Sequence, residues 1–242
     1  MQIHKIKTLY SNTYVVEEDG SMFVVDVAMR YDGFVLKHIQ EDLGLSIDKI
    51  ELVVCTHDDP DHIGGVIALA RSCRAISAIP YASKRPSLKL YENPLGPVVR
   101  IATTMREAFR ERSRRMYLNP ERHSRYQHIH NHHLDEAAQR YVLPQQRLTD
   151  GKRLQGFPNW EVVHTPGHSW DSICFFHRPS RSLVSGDTLL GSGSKGHLVH
   201  PAIYDNPLDI RRTLKKLQRL NPKTVYPGHG LVFSGSEILD HL

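Results

Sequence analysis

Cysteine is scarce in this chain. Cys55, Cys73 and Cys174 are the only three in 242 residues. Thiols at such spacing build neither a disulfide framework nor a zinc ribbon, and their use fits a reducing, cytoplasmic setting. Long apolar runs are missing too. The opening Met1-Gln2-Ile3-His4-Lys5 has no apolar core of leader length, and nothing approaches the roughly 20 apolar residues of a membrane span. A membrane partner is therefore not expected. A serine elbow of the G-x-S-x-G kind is also absent, so no nucleophile competes for a hydrolytic role. Excess charge is mild, +5 with histidines neutral. That is too little to argue for nucleic acid, although it leaves a small anionic substrate open.

No linker or composition shift divides residues 1–242, which read as one domain carrying an insertion. Histidine is abundant, at 16 residues, and this raises the prior for metal without locating it. Location comes from Thr56-His57-Asp58-Asp59-Pro60-Asp61-His62-Ile63-Gly64-Gly65, which follows the apolar run Leu52-Val53-Val54-Cys55. Four ligand-type side chains, His57, Asp59, Asp61 and His62, crowd one turn at a strand end. Imidazole with carboxylate suits zinc, iron or manganese, whereas calcium and magnesium sites take oxygen alone. In isolation the turn also admits a solvated acidic loop.

The flanking chain alternates strand and helix, as an α/β layered fold requires. Residues 12–16 and 22–26 form a hairpin about Glu17–Ser21, a helix spans Tyr31–Leu43 with Asp32 as its cap, and a strand lies within Ile47–Cys55. A helix over Ile63–Ser72 and a strand around Ala75–Ile79 follow. Residues 86–147 read as a mainly helical insertion, whose helices present a solvated face or sit as a lid over a site. Ile101, Met105, Ala108, Phe109 and Met116 lie on one helical face that Pro120 ends, with six arginines between Arg100 and Arg115 opposite. The run His123–His133 is too irregular for a closed metal site and reads as solvated. The clearest helix is Pro207–Leu220, capped by Asn206 and stopped by Asn221-Pro222.

Two Pro-Gly-His turns, at 166–168 and 227–229, each follow a short strand, and another strand ends in Asp187. Together with the 56–62 turn they make four strand ends bearing nitrogen or oxygen ligands. Ligands of layered α/β folds gather at such carboxyl ends, and proline with glycine aims a histidine sharply. Thr56–Gly65, Thr165-Pro166-Gly167-His168, Ser185-Gly186-Asp187-Thr188 and Tyr226-Pro227-Gly228-His229-Gly230 resemble, in order, the motifs of the metallo-β-lactamase superfamily. The resemblance runs from Asn12 to Gly230 and implies a four-layer αββα sandwich with a dinuclear metal site at one edge.

Carried over by position, the resemblance implies that His57 and His168 bind a first divalent metal. Asp61, His62 and His229 bind a second, and Asp187 bridges the pair. Zinc is the implied pair. Asp59 departs from the pattern, which usually has histidine there. Flavodiiron relatives carry glutamate at that position, so Asp59 remains ligand-competent and admits iron or manganese. Asp26 is expected to hold the ligand loops, Cys55 to be a buried thiol, His164 to serve packing, and Tyr204 to touch substrate.

Two metals sharing a water would activate it as a bridging hydroxide, with Asp61 orienting it and passing a proton to the leaving group. The resulting expectation is a metal-dependent hydrolase of a small ester, thioester or lactone, able to form a homo-oligomer. The 12 residues beyond Gly230 lack the C-terminal region of glyoxalase II relatives, and no nuclease exosite domain is visible. Rivals are a phosphoesterase on the same fold and an iron oxidoreductase of the persulfide-dioxygenase type using His57, His168 and Asp187. A relict scaffold would have lost ligands, and this chain has not.

Overall fold

Strand residues alternate between two apolar environments, and that alternation builds the layers. The computed structural model describes residues 1–83, 85–110 and 145–242. Met116, Pro120, the arginines at 112, 114 and 115, and the run His123–His133 lie outside the described residues.

Strands β1 (Gln2–Lys7), β2 (Asn12–Glu18), β3 (Ser21–Val25), β4 (Ile50–Val54), β5 (Ile76–Pro80) and β6 (Gln146–Leu148) form one sheet in chain order. Its first three strands are antiparallel and its last four parallel. The β2–β3 hairpin turns on Asp19 and Gly20, both at positive φ (52° and 88°), the chemistry expected of a two-residue loop. A second sheet begins with β7 (Arg153–Leu154), β8 (Phe157–His164), β9 (Ile173–His177) and β10 (Ser182–Gly186). After a small hairpin of β11 (Leu190–Ser192) and β12 (His197–Val199), β13 (Thr224–Pro227) and β14 (Phe233–Ser234) complete that sheet. In it β10 and β13 are parallel and the other pairs antiparallel.

Tyr14, Val16, Phe23, Val25, Leu52 and Val54 point from the first sheet toward Phe157, Trp160, Val162 and Phe175 of the second. Phe23 packs edge-on against both Phe157 and Trp160, at centroid distances of 4.7 and 5.1 Å. The alternate residues Val15, Met22, Val24 and Val53 lie under α1 (Asp32–Lys37) and α3 (Val66–Cys73). On the outer face of the second sheet, Val163, Cys174, Phe176, Leu183 and Val225 are covered by Leu217 of α6 (Pro207–Leu220). Two mixed sheets thus lie between helices, the αββα sandwich expected.

Local departures have local causes. The Tyr31–Leu43 helix divides into α1 and a wider turn over His38–Asp42, and Asp32 sits inside the first turn while Tyr31 occupies the cap. Gly44 then turns left-handed (φ 65°), and the Leu45 N–H closes back on Ile39 O at 2.9 Å. The Ile63–Ser72 helix breaks into α2 (Pro60–Ile63) and α3 at Gly64-Gly65. A Cβ at Gly64 would meet Pro60 O at 2.4 Å and Met29 Cβ at 2.5 Å, so the chain turns where only glycine fits.

Helices α4 (Pro86–Glu92) and α5 (Gly96–Ala108) make up the described part of the insertion. In α5 the polar face, not the apolar one, turns inward. Ile101, Met105 and Phe109 point outward (62%, 55% and 79% exposed), whereas Thr103 and Glu107 are buried. Periodicity establishes two faces without saying which one turns inward. Here the polar face wins because it has charged and hydrogen-bonding partners waiting. Thr103 Oγ1 exchanges hydrogen bonds with the Tyr204 backbone at 3.2 Å, and Arg106 donates to Ala202 O at 2.6 Å.

Candidate metal centre

Strands β8, β10 and β13 run in one direction, and their carboxyl ends meet those of β3 and β4 at one edge of the sandwich. The sheets are tied there by backbone bonds. Ile173 N–H donates to Thr56 O at 2.9 Å and Asn12 N–H to Gly228 O at 2.7 Å. Asn12 Nδ2 reaches Pro227 O at 2.9 Å and Gly230 O at 3.2 Å, while Tyr14 Oη donates to Pro227 O at 2.7 Å. These bonds fix the 227–230 turn beside the 56–62 turn. Gly228 is needed for the fit, since a Cβ there would lie 2.5 Å from Asp187 Oδ1 and 2.7 Å from His62 Cε1.

Ligand-type atoms converge in two groups, His57 with His168 and Asp187, and Asp61 with His62 and His229; within each they lie within 4.8 Å of one another. Asp187 also faces the second group, with Oδ1 3.4 Å from His62 Nε2 and Oδ2 3.2 Å from His229 Nε2. Asp59 Oδ2 stands 3.4 Å from His57 Nε2 and 3.3 Å from His168 Nε2. All seven residues singled out as ligands are therefore brought together, Asp59 included.

The histidines are aimed from behind. His62 Nδ1–H donates to Asp26 Oδ2 at 2.8 Å, and His168 Nδ1–H to Ile203 O at 2.7 Å. His57 Nδ1 pairs with Thr56 Oγ1 at 3.0 Å, and that hydroxyl in turn donates to Asp26 at 2.9 Å. Each bond leaves an Nε2 lone pair facing the site, the arrangement that orients metal-binding imidazoles. Asp26 also accepts from Thr56 N–H at 2.7 Å and holds a left-handed backbone (φ 59°) to do so.

His57 Nε2, His62 Nε2 and Asp187 Oδ1 are buried without a hydrogen-bond partner. Such orphaned atoms are costly unless a shared ligand satisfies them. A divalent cation fits this donor set of nitrogen and carboxylate oxygen. Electrostatics agree. Burial disfavours the charged forms of His57, His62 and His229, yet the surrounding carboxylates raise all three, His62 furthest. Burial likewise opposes Asp187, which His229, His62 and His168 nevertheless hold well below the usual carboxylate range. Burial opposes the charge of Asp59 as well, yet His168, His57 and the charge of Arg100 hold it well below the usual carboxylate range.

Sequence reasoning singled out no role for Arg100. From α5 its Nη2 contacts Asp59 Oδ2, its Nη1 donates to His168 O at 2.8 Å, and Asp205 Oδ1 lies 3.6 Å from Nη1. An unbalanced charge at Asp59 signals a counter-cation, but the sequence does not say which of the many arginines supplies it. Ser11 was missed as well, and its hydroxyl contacts Asp61 O. Of the remaining expectations, Cys55 is fully buried and His164 Nε2 reaches Trp170 O at 3.0 Å. Tyr204 is half-buried, its ring 5.9 Å from the Arg106 guanidinium.

A sandwich with clustered imidazoles and carboxylates at one edge defines a class of metal-dependent enzymes. The profile of the metallo-beta-lactamase superfamily matches residues 6–229, and the chain belongs to that superfamily, whose members are mostly metal-dependent hydrolases. The chain is 33% identical over 88 residues to the probable metallo-hydrolase YqjP of Bacillus subtilis, covering 34% of this chain and 28% of that protein. It is 30% identical over 109 residues to the atrochrysone carboxyl ACP thioesterase of Aspergillus fumigatus, covering 45% and 30%. The match thus spans less than a third of either relative. Among solved structures, TTHA1623 in a di-iron-bound form superposes with a TM-score of 0.60 at 22% identity, covering 97% of this chain and 94% of that one. Among the described residues no helix is long and apolar enough to cross a membrane.

Proposed function

We propose that this chain is a dinuclear-metal-dependent hydrolase of a small ester, thioester or lactone. The observation that carries the reading is the pair of ligand clusters sharing Asp187 at one edge, with buried Nε2 atoms facing inward. His57, His168, Asp59 and Asp187 would hold the first cation, and Asp61, His62, His229 and Asp187 the second. Bound there, divalent ions supply Lewis acidity that polarises a substrate oxygen and lowers the pKa of water.

The chain's own groups supply orientation and proton transfer. Asp26 and Ile203 O lock the imidazoles, so the site needs little rearrangement as charge develops on the substrate. Asp61 is one-third exposed and faces both His62 and His229, which supports a role in taking a proton from the attacking water and delivering it to the leaving group. Arg100 of the insertion reaches the first cluster at His168 O, and Thr103 beside it holds the Tyr204 backbone, which supports a lid that walls the substrate. The thioesterase relative favours a thioester among the candidates. Zinc is the proposed metal, with iron or manganese admitted by Asp59.

Elemental analysis of the purified chain, joined to a panel of p-nitrophenyl esters, thioesters, lactones and phosphoesters, tests the reading. Two metals per chain and turnover on an acyl substrate are expected. A second reading rests on the His57, His168, Asp187 group, a two-histidine, one-carboxylate set of the kind that holds mononuclear iron in oxygenases. One iron per chain with oxygen uptake on a persulfide, and no hydrolysis, would favour it.

A further inference from the structure

Asp59 and Arg100 form a pair that neither a three-histidine site nor a simple lid requires. The carboxylate oxygen that Arg100 Nη2 touches, Oδ2, is the same atom that faces His57 Nε2 and His168 Nε2 at 3.4 and 3.3 Å. The guanidinium is seated firmly. Nη1 is held by His168 O at 2.8 Å, and α5 is tied to the 202–204 loop through Thr103 and Arg106. Only about a fifth of the Arg100 side chain is exposed.

We infer that Arg100 competes with a first-cluster cation for Asp59 Oδ2, and so holds the first cluster weaker than the second. The inference rests on the metal-binding reading above. Charge counting supports it. Aspartate in place of histidine adds one negative charge to the first cluster, and Arg100 returns one positive charge to the same oxygen. Among the described residues the second cluster has no such competitor: Asp61, His62 and His229 face Asp187, one another and Asp26. Arg100 is thus a positioning residue that acts on metal occupancy through Asp59, and it arrives from the insertion rather than from a ligand turn.

The test uses the full chain stripped with a chelator and titrated separately with zinc and manganese against a chromophoric competitor. Circular dichroism and melting of each metal-free variant establish folding. In the wild type the two sites should fill in separated steps. Arg100→Gln should bind the first-cluster cation roughly 10-fold tighter or more, because a positive charge is withdrawn from the oxygen the cation would use, and should draw the steps together. Arg100→Lys, which keeps the charge, should stay nearer the wild type. Asp59→His should weaken the first step by leaving a guanidinium beside a neutral ring, and Asp59→His/Arg100→Gln should restore it. Unchanged or weaker first-cluster binding in a folded Arg100→Gln would overturn the inference, because an arginine that only seats the insertion would alter melting alone. Absence of binding in every form would instead remove the metal reading beneath it.

Discussion

Asp26 Oδ2 accepts the Nδ1 proton of His62 at 2.8 Å while the same carboxylate takes the Thr56 hydroxyl that backs His57. One buried anion therefore aims an imidazole in each cluster. Asp26→Ala should weaken cation binding roughly 10- to 100-fold at both sites, read by competition titration. Asp26→Asn tolerates the left-handed backbone and should lose less stability than the alanine, with metal affinity reduced in both.

The raised imidazoles of His57, His62 and His229 set a pH dependence with a definite sign. A histidine whose folded pKa exceeds its unfolded value, about 6.5, stabilises fully below that value and loses the contribution as pH rises through the folded pKa. The chelated protein should therefore lose melting temperature from about pH 6.5 upward through this term. Cation binding requires the same rings deprotonated, so affinity should rise over the same range and uptake should release protons. Melting with and without metal across pH gives opposite slopes if this is right, and parallel slopes if it is not.

Gly228 leaves no room for a methyl group between Asp187 and His62. Gly228→Ala should destabilise the fold by about 1–3 kcal/mol and lower the metal content, because the intruding carbon displaces both Asp187 and His62. Denaturation and elemental analysis of the same preparation check the two effects together.

Asp150 belongs to neither ligand cluster and offers a control. Burial opposes its charge, but the His164 N–H at 2.7 Å and the Lys216 ammonium at 2.9 Å hold its pKa below the ordinary carboxylate value. A depressed carboxylate stabilises above its unfolded pKa and loses that contribution as pH falls. Lys216→Ala should cost no more than about 1 kcal/mol at neutral pH, given the exposure of the pair, and the difference should fade below about pH 4. Metal content should not change.

The ligand turns and the alternation of strand and helix were legible because each rests on local chemistry, and the four-layer order came with the resemblance those turns carry. Proline and glycine beside His168 and His229 mark a sharp turn whatever surrounds it, and the alternation in Tyr14–Val16 and Leu52–Val54 marks two buried faces. Helix α6 was equally plain, since Asn206 accepts from Leu208 and Asp209 N–H as a cap should. What escaped depended on distant partners. The inward face of α5 is decided by Asp59 and Asp205, about 41 and 105 positions away in sequence, and the amphipathic pattern of Ile101, Met105 and Phe109 points the wrong way on its own. The break at Gly64 likewise depends on Met29, a contact no local window contains.

The two sheets each give up side chains to the same edge: His57, Asp61 and His62 come from the first, His168, Asp187 and His229 from the second. Elsewhere the halves meet largely through apolar side chains, which slide and repack at modest expense. Ions lodged at that edge would rivet the N-terminal half of the polypeptide to the C-terminal half, as a covalent crosslink does. Depletion of metal should then be felt as a loosening between halves, well before either sheet melts.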